Sequence, residues 1–109
     1  MLQALDRIQH LKNASERVSV DGNREYNAGW HTALDLYHLL TVSEIVTRAA
    51  LERKESRGAH FRDDFPEKNN QFGAFNIVVR KGADGAMQFS REPVLPLRLD
   101  LQQIIKEMK

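Results

Sequence analysis

Cysteine is absent from the 109 residues, which excludes disulfides and thiolate metal sites and fits a reducing, cytosolic-type compartment. No apolar run approaches the roughly 20 residues that span a bilayer, and the opening Met1-Leu2-Gln3-Ala4-Leu5-Asp6 is no signal peptide. Neither charge is in excess: 16 basic and 15 acidic side chains leave +1, so no net field draws the chain to nucleic acid or an anionic membrane. Glycine and proline are few, at six and three. None of those glycines forms a Walker loop, a Gly-x-Gly-x-x-Gly turn or a Gly-x-Ser-x-Gly elbow. Phosphate-cradling, dinucleotide-binding and serine-nucleophile chemistry are thereby excluded as self-contained functions.

What is present is helical periodicity, then alternation. Leu2, Leu5, Ile8 and Leu11 recur at three-residue steps, which predicts a one-faced helix over residues 2 to about 17. Val18 and Val20 alternate like a short extended piece before the Asp21-Gly22 turn signal. Asn27 is a good cap for a second helix running to about residue 55, a rod about 40 Å long at roughly 1.5 Å per residue, with room for a kink near His38 to Thr41. Trp30, Ala33, Leu34, Tyr37 and Leu40 make one apolar stripe, and Leu36, Leu39, Val42, Val46, Ala49 and Ala50 make another. A helix apolar over so much of its circumference needs cover on more than one side. The first helix supplies only part of that cover, so a further helix, a second copy or a larger domain is expected.

Residues 67–71 read as a polar turn. Phe75, Ile77 and Val79 then alternate with Asn76, Val78 and Arg80, and residues 86–91 alternate again after the Lys81-Gly82-Ala83-Asp84-Gly85 turn, which predicts a β-hairpin. Such a hairpin is marginal alone and should pack on the helices or a partner. Pro93 and Pro96 frame a connector, and Asp100 is expected to cap a short helix carrying Leu101, Ile104, Ile105 and Met108. The fold class is therefore mainly α: an antiparallel helical bundle, spectrin-repeat-like with one bundle helix not included, followed by a small β-hairpin and a short C-terminal helix. Residues 1–66 form the helical unit and 67–109 the hairpin and tail.

Candidate chemistry is sparse. His31, Asp35 and His38 share one side of the long helix, but the histidines stand roughly 10 Å apart along the axis, too far to share one ion without other ligands. Asp63, Asp64 and Glu67 offer paired carboxylates, yet in a loop this charged they read as solvated groups. Arg48, Arg53, Lys54, Arg57 and Arg62 would make a basic strip were Glu44, Glu52, Glu55, Asp63 and Asp64 not interleaved with them, so the strip reads as an ion-pair surface. No catalytic, cofactor-binding or metal-ligating residue is assigned. The long helix stops in the densest charge cluster, Arg53-Lys54-Glu55-Ser56-Arg57-Gly58-Ala59-His60-Phe61-Arg62-Asp63-Asp64-Phe65-Pro66. There Gly58 offers positive φ just past the last turn, and Pro66 prevents a helix from resuming.

That stretch resembles a sequence near the end of the flavoprotein subunits of succinate dehydrogenases and fumarate reductases. Asn27, Ala33-Leu34-Asp35-Leu36, Leu39-Leu40 and Ala49-Ala50-Leu51 resemble the long helix before it, and Phe75 to Arg80 with Arg91-Glu92-Pro93 resemble the family tail. L-aspartate oxidases share the Glu-Ser-Arg-Gly-x-His core. The chain departs from the commoner family residues at Asp35, His38 and Ser43, where glutamate, asparagine and alanine are usual. The resemblance implies the C-terminal helical domain of an FAD enzyme, inactive by itself. FAD would lie in the parent's other domains, and electrons would pass to an iron–sulfur subunit. Its partners would be the parent's FAD-binding and capping domains and that subunit, with no nucleic acid and no direct membrane insertion, the parent lying peripherally on the inner face of the cytoplasmic membrane. Glu55, Arg57, His60, Arg62 and Asp64 are expected to dock the domain, and the charges of the 53–66 stretch to be paired in the parent and partly unpaired in this chain. Two copies are expected to pair through Trp30, Leu34, Leu36, Leu39 and Val46. A free-standing helical interaction module is the alternative from another class.

Overall fold

In the computed structural model residues 1–108 are described, and Lys109, the last residue of the expected 67–109 unit, lies outside them. Helix α1 spans Leu2–Ser15 and α2 spans Ala28–Glu52. The two run antiparallel, with Lys12 of α1 bonded to the buried Glu44 of α2, while Leu5 lies beside Arg48 and Leu51. Helix α1 ends earlier than its periodicity predicts, and the Val18–Val20 stretch forms no strand, because no neighbouring strand is there to pair it.

Asn27 caps α2 as its chemistry predicts: the side-chain oxygen accepts from the Trp30 N–H at 3.2 Å, and its amide donates to the Asp21 carbonyl at 2.9 Å. Helix α2 runs without interruption through His38–Thr41. Thr32, Thr41, Ser43 and Thr47 each donate a hydroxyl to the carbonyl four residues back, so these polar groups need no outside partner. The helix stops at Glu52, short of the predicted residue 55, because Arg53 already has extended backbone.

A short helix α3, Asn70–Gly73, replaces the polar turn expected there. It leads into strand β1, Phe75–Lys81, paired antiparallel with β2, Met87–Pro93, in a register from Phe75 opposite Pro93 to Lys81 opposite Met87. The inner face carries Phe75, Ile77, Val79, Met87 and Phe89, all half-buried. They lie over the helical pair, with Val79 and Met87 near Tyr37, Thr41 and Ile45. Helix α4, Leu99–Glu107, closes the chain. Its N-cap is Arg98 rather than the expected Asp100, which sits in the first turn and accepts from Arg98 at 3.1 and 2.6 Å. A carboxylate there still favours the helix dipole.

Little of this is enclosed. Leu40, at 5% exposure, is the one buried hydrophobic among the described residues. The chain exposes 9240 Å², whereas a compact monomer of this mass exposes about 6200 Å². Its radius of gyration of 19.8 Å likewise exceeds the roughly 13 Å of a compact domain. The apolar side of α2 not covered by α1 or the hairpin stays open, with Leu34, Leu39, Val42 and Val46 exposed. This is the uncovered stripe that the sequence pattern predicts.

Candidate functional site

The charged stretch after α2 folds into a knot around one carboxylate. Glu55 has no exposed surface. It accepts from Arg53 Nη1 at 2.6 Å, from Arg57 Nε and Nη2 at 3.0 and 3.2 Å, and from the Asn69 N–H at 2.9 Å. Two guanidinium groups and a backbone amide fill its acceptor sites, as a buried charge requires. The Arg57 bonds above all, then the Asn69 amide and Arg53, outweigh desolvation and hold the Glu55 carboxyl down at about 2.

The same arginines reach beyond the loop. Arg53 donates to the carbonyls of Phe72 at 2.8 Å and Phe75 at 3.3 Å, and Arg57 donates to that of Asn69 at 3.0 Å. Gly73 makes room for Arg57, since a Cβ there would lie 2.6 Å from its Nη2. Arg62 turns the other way and is also buried. Its Nη1 donates to the carbonyls of Ala50, Leu51 and Arg53 at 3.2, 2.8 and 3.2 Å, closing the end of α2. A cation on the last helical carbonyls satisfies orphan acceptors and suits the dipole. Asp64 takes the remaining Arg62 donors at 2.9 and 2.6 Å, and that contact holds its carboxyl below the usual range.

His60 places Nε2 at 3.2 Å from the Arg53 carbonyl, so Nε2 carries the hydrogen. Arg57 and His60 face each other across a two-residue turn, with N–H···O bonds of 2.8 and 3.0 Å. Gly58 takes φ +59° at its first position, as a II′ hairpin loop demands. The glycine thus serves this turn rather than the helix end, where Arg62 does the capping.

Glu55, Arg57, His60, Arg62 and Asp64 are therefore brought together as expected, but each has a partner inside the chain. Among the described residues the stretch is partly unpaired, as expected, but at Lys54 and Asp63 rather than at these five. Partners unseen in the linear pattern, the Asn69 amide and the carbonyls of Arg53 and Asn69, supply the missing bonds. Lys54 and Asp63 are exposed. Glu44 pairs with Arg48 within the ion-pair strip read from the sequence, but two links between elements were missed: the bond of Glu44 to Lys12, and that of Arg91, which reaches Glu52 from β2. Lys12 lies 32 positions away, so no spacing in the sequence links it to Glu44. The Lys12 hydrogen bond leads in holding its carboxyl below the ordinary range, against the cost of burial.

His31 and His38 stand edge-on to Trp30 and Tyr37, with ring centroids 5.3 and 5.6 Å apart. Among the described residues no three metal-ligating side chains gather. The clefts do not fit FAD: no glycine-rich turn opens a helix toward them, and every buried side-chain N or O of the described residues already has a partner. No described helix is long and apolar enough to cross a membrane.

Residues 1–105 match the family described as the fumarate reductase flavoprotein C-term. The chain belongs to this family. The Haemophilus influenzae fumarate reductase flavoprotein subunit is 32% identical over 95 residues, covering 86% of this chain and 16% of that protein. A fumarate reductase (CoM/CoB) polypeptide of Methanothermobacter marburgensis is 36% identical over 78 residues, 72% of this chain and 14% of that one. A solved structure of Mycobacterium smegmatis Sdh1 in complex with UQ1 superposes with a TM-score of 0.85 at 39% identity, covering 96% of this chain and 18% of that chain. An L-aspartate oxidase of Acinetobacter baylyi is 38% identical over 69 residues. The family's C-terminal region thus takes the helical-pair, hairpin and tail architecture described above, and the chain spans about one-seventh of the curated relatives' length.

Proposed function

We propose that this chain is the structural C-terminal domain of an FAD-dependent succinate or fumarate oxidoreductase, in which it seats the flavin-bearing part of the protein without contributing a catalytic group. The observation that carries this reading is the family match across residues 1–105, joined to the close likeness to Sdh1. In this reading FAD lies in other domains and exchanges a hydride with succinate or fumarate, and the electrons leave through an iron–sulfur subunit. The whole protein would lie peripherally on the inner face of the cytoplasmic membrane.

Within that reading the loop 53–66 is the docking segment. Glu55, Arg57, His60, Arg62 and Asp64 act by fixing its shape, because each has a hydrogen-bond partner inside the chain. What the loop offers outward is Phe61, Phe65, Lys54 and Asp63, all exposed. A rigid presentation lowers the ordering cost of association.

The test uses the whole protein that carries this chain. Purified with FAD, it should oxidise succinate with an artificial acceptor and reduce fumarate. This chain expressed alone should show neither flavin absorbance nor turnover, and flavin bound to it would overturn the reading. The likeness to L-aspartate oxidase favours a second reading, in which the whole protein oxidises L-aspartate and releases hydrogen peroxide.

A further inference from the structure

The hairpin is fastened to the helices at one end only. At that end Arg53 bonds the Phe72 and Phe75 carbonyls, Glu55 accepts the Asn69 amide and Arg57 holds the Asn69 carbonyl. From the other strand Arg91 lies over the paired rings of Phe72 and Phe75, 5.5 and 4.7 Å from their centroids, and reaches Glu52 in the last turn of α2. Farther along, among the described residues, no hydrogen bond or ion pair joins the strands to the helices. Open clefts of about 250 and 310 Å³ run beside the contact there, one lined by Val79 and Met87 with Tyr37, Thr41 and Ile45, the other by Phe89 with Leu5 and Leu51.

We propose that α3 and the hairpin, residues 70–93, form a strap that opens from the helical pair as a unit, and that the arginine clasp at Glu52 and Glu55 holds it shut. Seven residues per strand reach about 23 Å at roughly 3.3 Å each. That length carries the turn from Glu52 to the Lys12, Glu44 and Arg48 group, which lies beside Gly85 and Ala86. Opening therefore bares the ion group that joins α1 to α2. Because Glu55 and Arg57 hold Asn69, the residue from which the strap springs, and Glu55 also holds the clasp residue Arg53, while both belong to the loop proposed to dock, strap closure and docking are coupled. This coupling rests on the docking reading, whereas the strap does not.

A two-stranded hairpin released from support is marginal, so opening is read directly by hydrogen exchange. The intact protein carrying this chain is compared with Arg91→Met, which keeps an apolar stem against the rings but loses the charge. Amides of residues 75–93 should exchange about tenfold faster, while those of residues 32–50 stay unchanged. The same rise in α2, or no rise in the hairpin, would overturn the proposal. Ile77→Ala separates the alternatives: if trimming this inner-face residue frees the hairpin more than Arg91→Met does, apolar packing is the fastening and the clasp is not. Arg91→Lys should restore only part of the protection, since lysine keeps the charge but loses the planar stacking. Full restoration would contradict the ring contacts as part of the clasp. None of these readouts depends on succinate, fumarate or docking.

Discussion

The end of α2 and its open side invert the usual arrangement. At the end, charges are inside: Glu55 is fully buried and Arg62 nearly so. Along the open side, apolar groups are outside, with Leu39 at 62% and Val46 at 61% exposure. The charged region is complete within the chain, since every buried side-chain N or O of the described residues has a partner. The apolar region is complete only when another surface covers it. A buried ion group fixes geometry but is weak evidence of stability, whereas apolar area drives association. The domain thus carries its own alignment device and looks elsewhere for much of its cohesion.

The comparison breaks most severely at Glu55. Glu55→Gln removes the charge that Arg53 and Arg57 share, and one amide oxygen cannot serve the three donor groups now bound. A melting temperature lower by roughly 10 °C or more is expected, as when one partner of a buried pair is removed, read by circular dichroism. A loss of only a degree or two would show that water replaces the carboxylate. Acid probes the same group: its carboxyl is depressed from 4.5 to about 2 in the fold. A depressed folded value means that the contribution is whole above 4.5 and disappears as pH falls from there to about 2. Glu55→Gln should flatten the stability profile in that window, which a pH series of thermal melts would show.

Two smaller changes separate packing from ion pairing. Leu40→Ala, at the one buried hydrophobic of the described residues, should cost about 2–3 kcal/mol by denaturant unfolding, near the low end for leucine because the surrounding core is thin. Gly73→Ala should cost about 1–2 kcal/mol as its Cβ pushes against Arg57. Pairing it with Arg57→Ala tests the cause: that background should absorb most of the glycine effect, and simple additivity would locate the strain elsewhere.

The helices, the hairpin and the open apolar side were legible because each is a periodicity in consecutive residues. Asn27 was legible as a cap because its bond is local. The knot was legible as a cluster but not as a geometry. Glu55 finds Asn69 fourteen positions on, and Arg53 finds the Phe72 and Phe75 carbonyls, contacts made by backbone groups that no side-chain pattern displays. Helix α3 was hidden for a related reason: Asn69 caps it by accepting from the Gln71 N–H, but Asn69-Asn70-Gln71 equally spells a turn. Gly58 misled because positive φ serves a helix end and a tight hairpin alike. Only the three-dimensional position of Arg62, on the final carbonyls of α2, decides between them.

The smallest effect on the chain alone should be the most telling for the whole protein. Leu39→Gln with Val46→Gln puts a good helix former at two exposed positions, so denaturant unfolding at low concentration should move by no more than about 0.5 kcal/mol. In the whole protein the same two side chains would be covered, each contributing about 1.5–3 kcal/mol of burial. Assembly should then fall sharply, measured as the yield of flavin-loaded protein. Sedimentation of the chain alone adds a second reading, because any pairing of copies through this face should weaken in the double variant. Equal stability loss in the chain and the whole protein would mean that the face is already covered from within, and the contrast between an internally complete knot and an externally completed face would collapse.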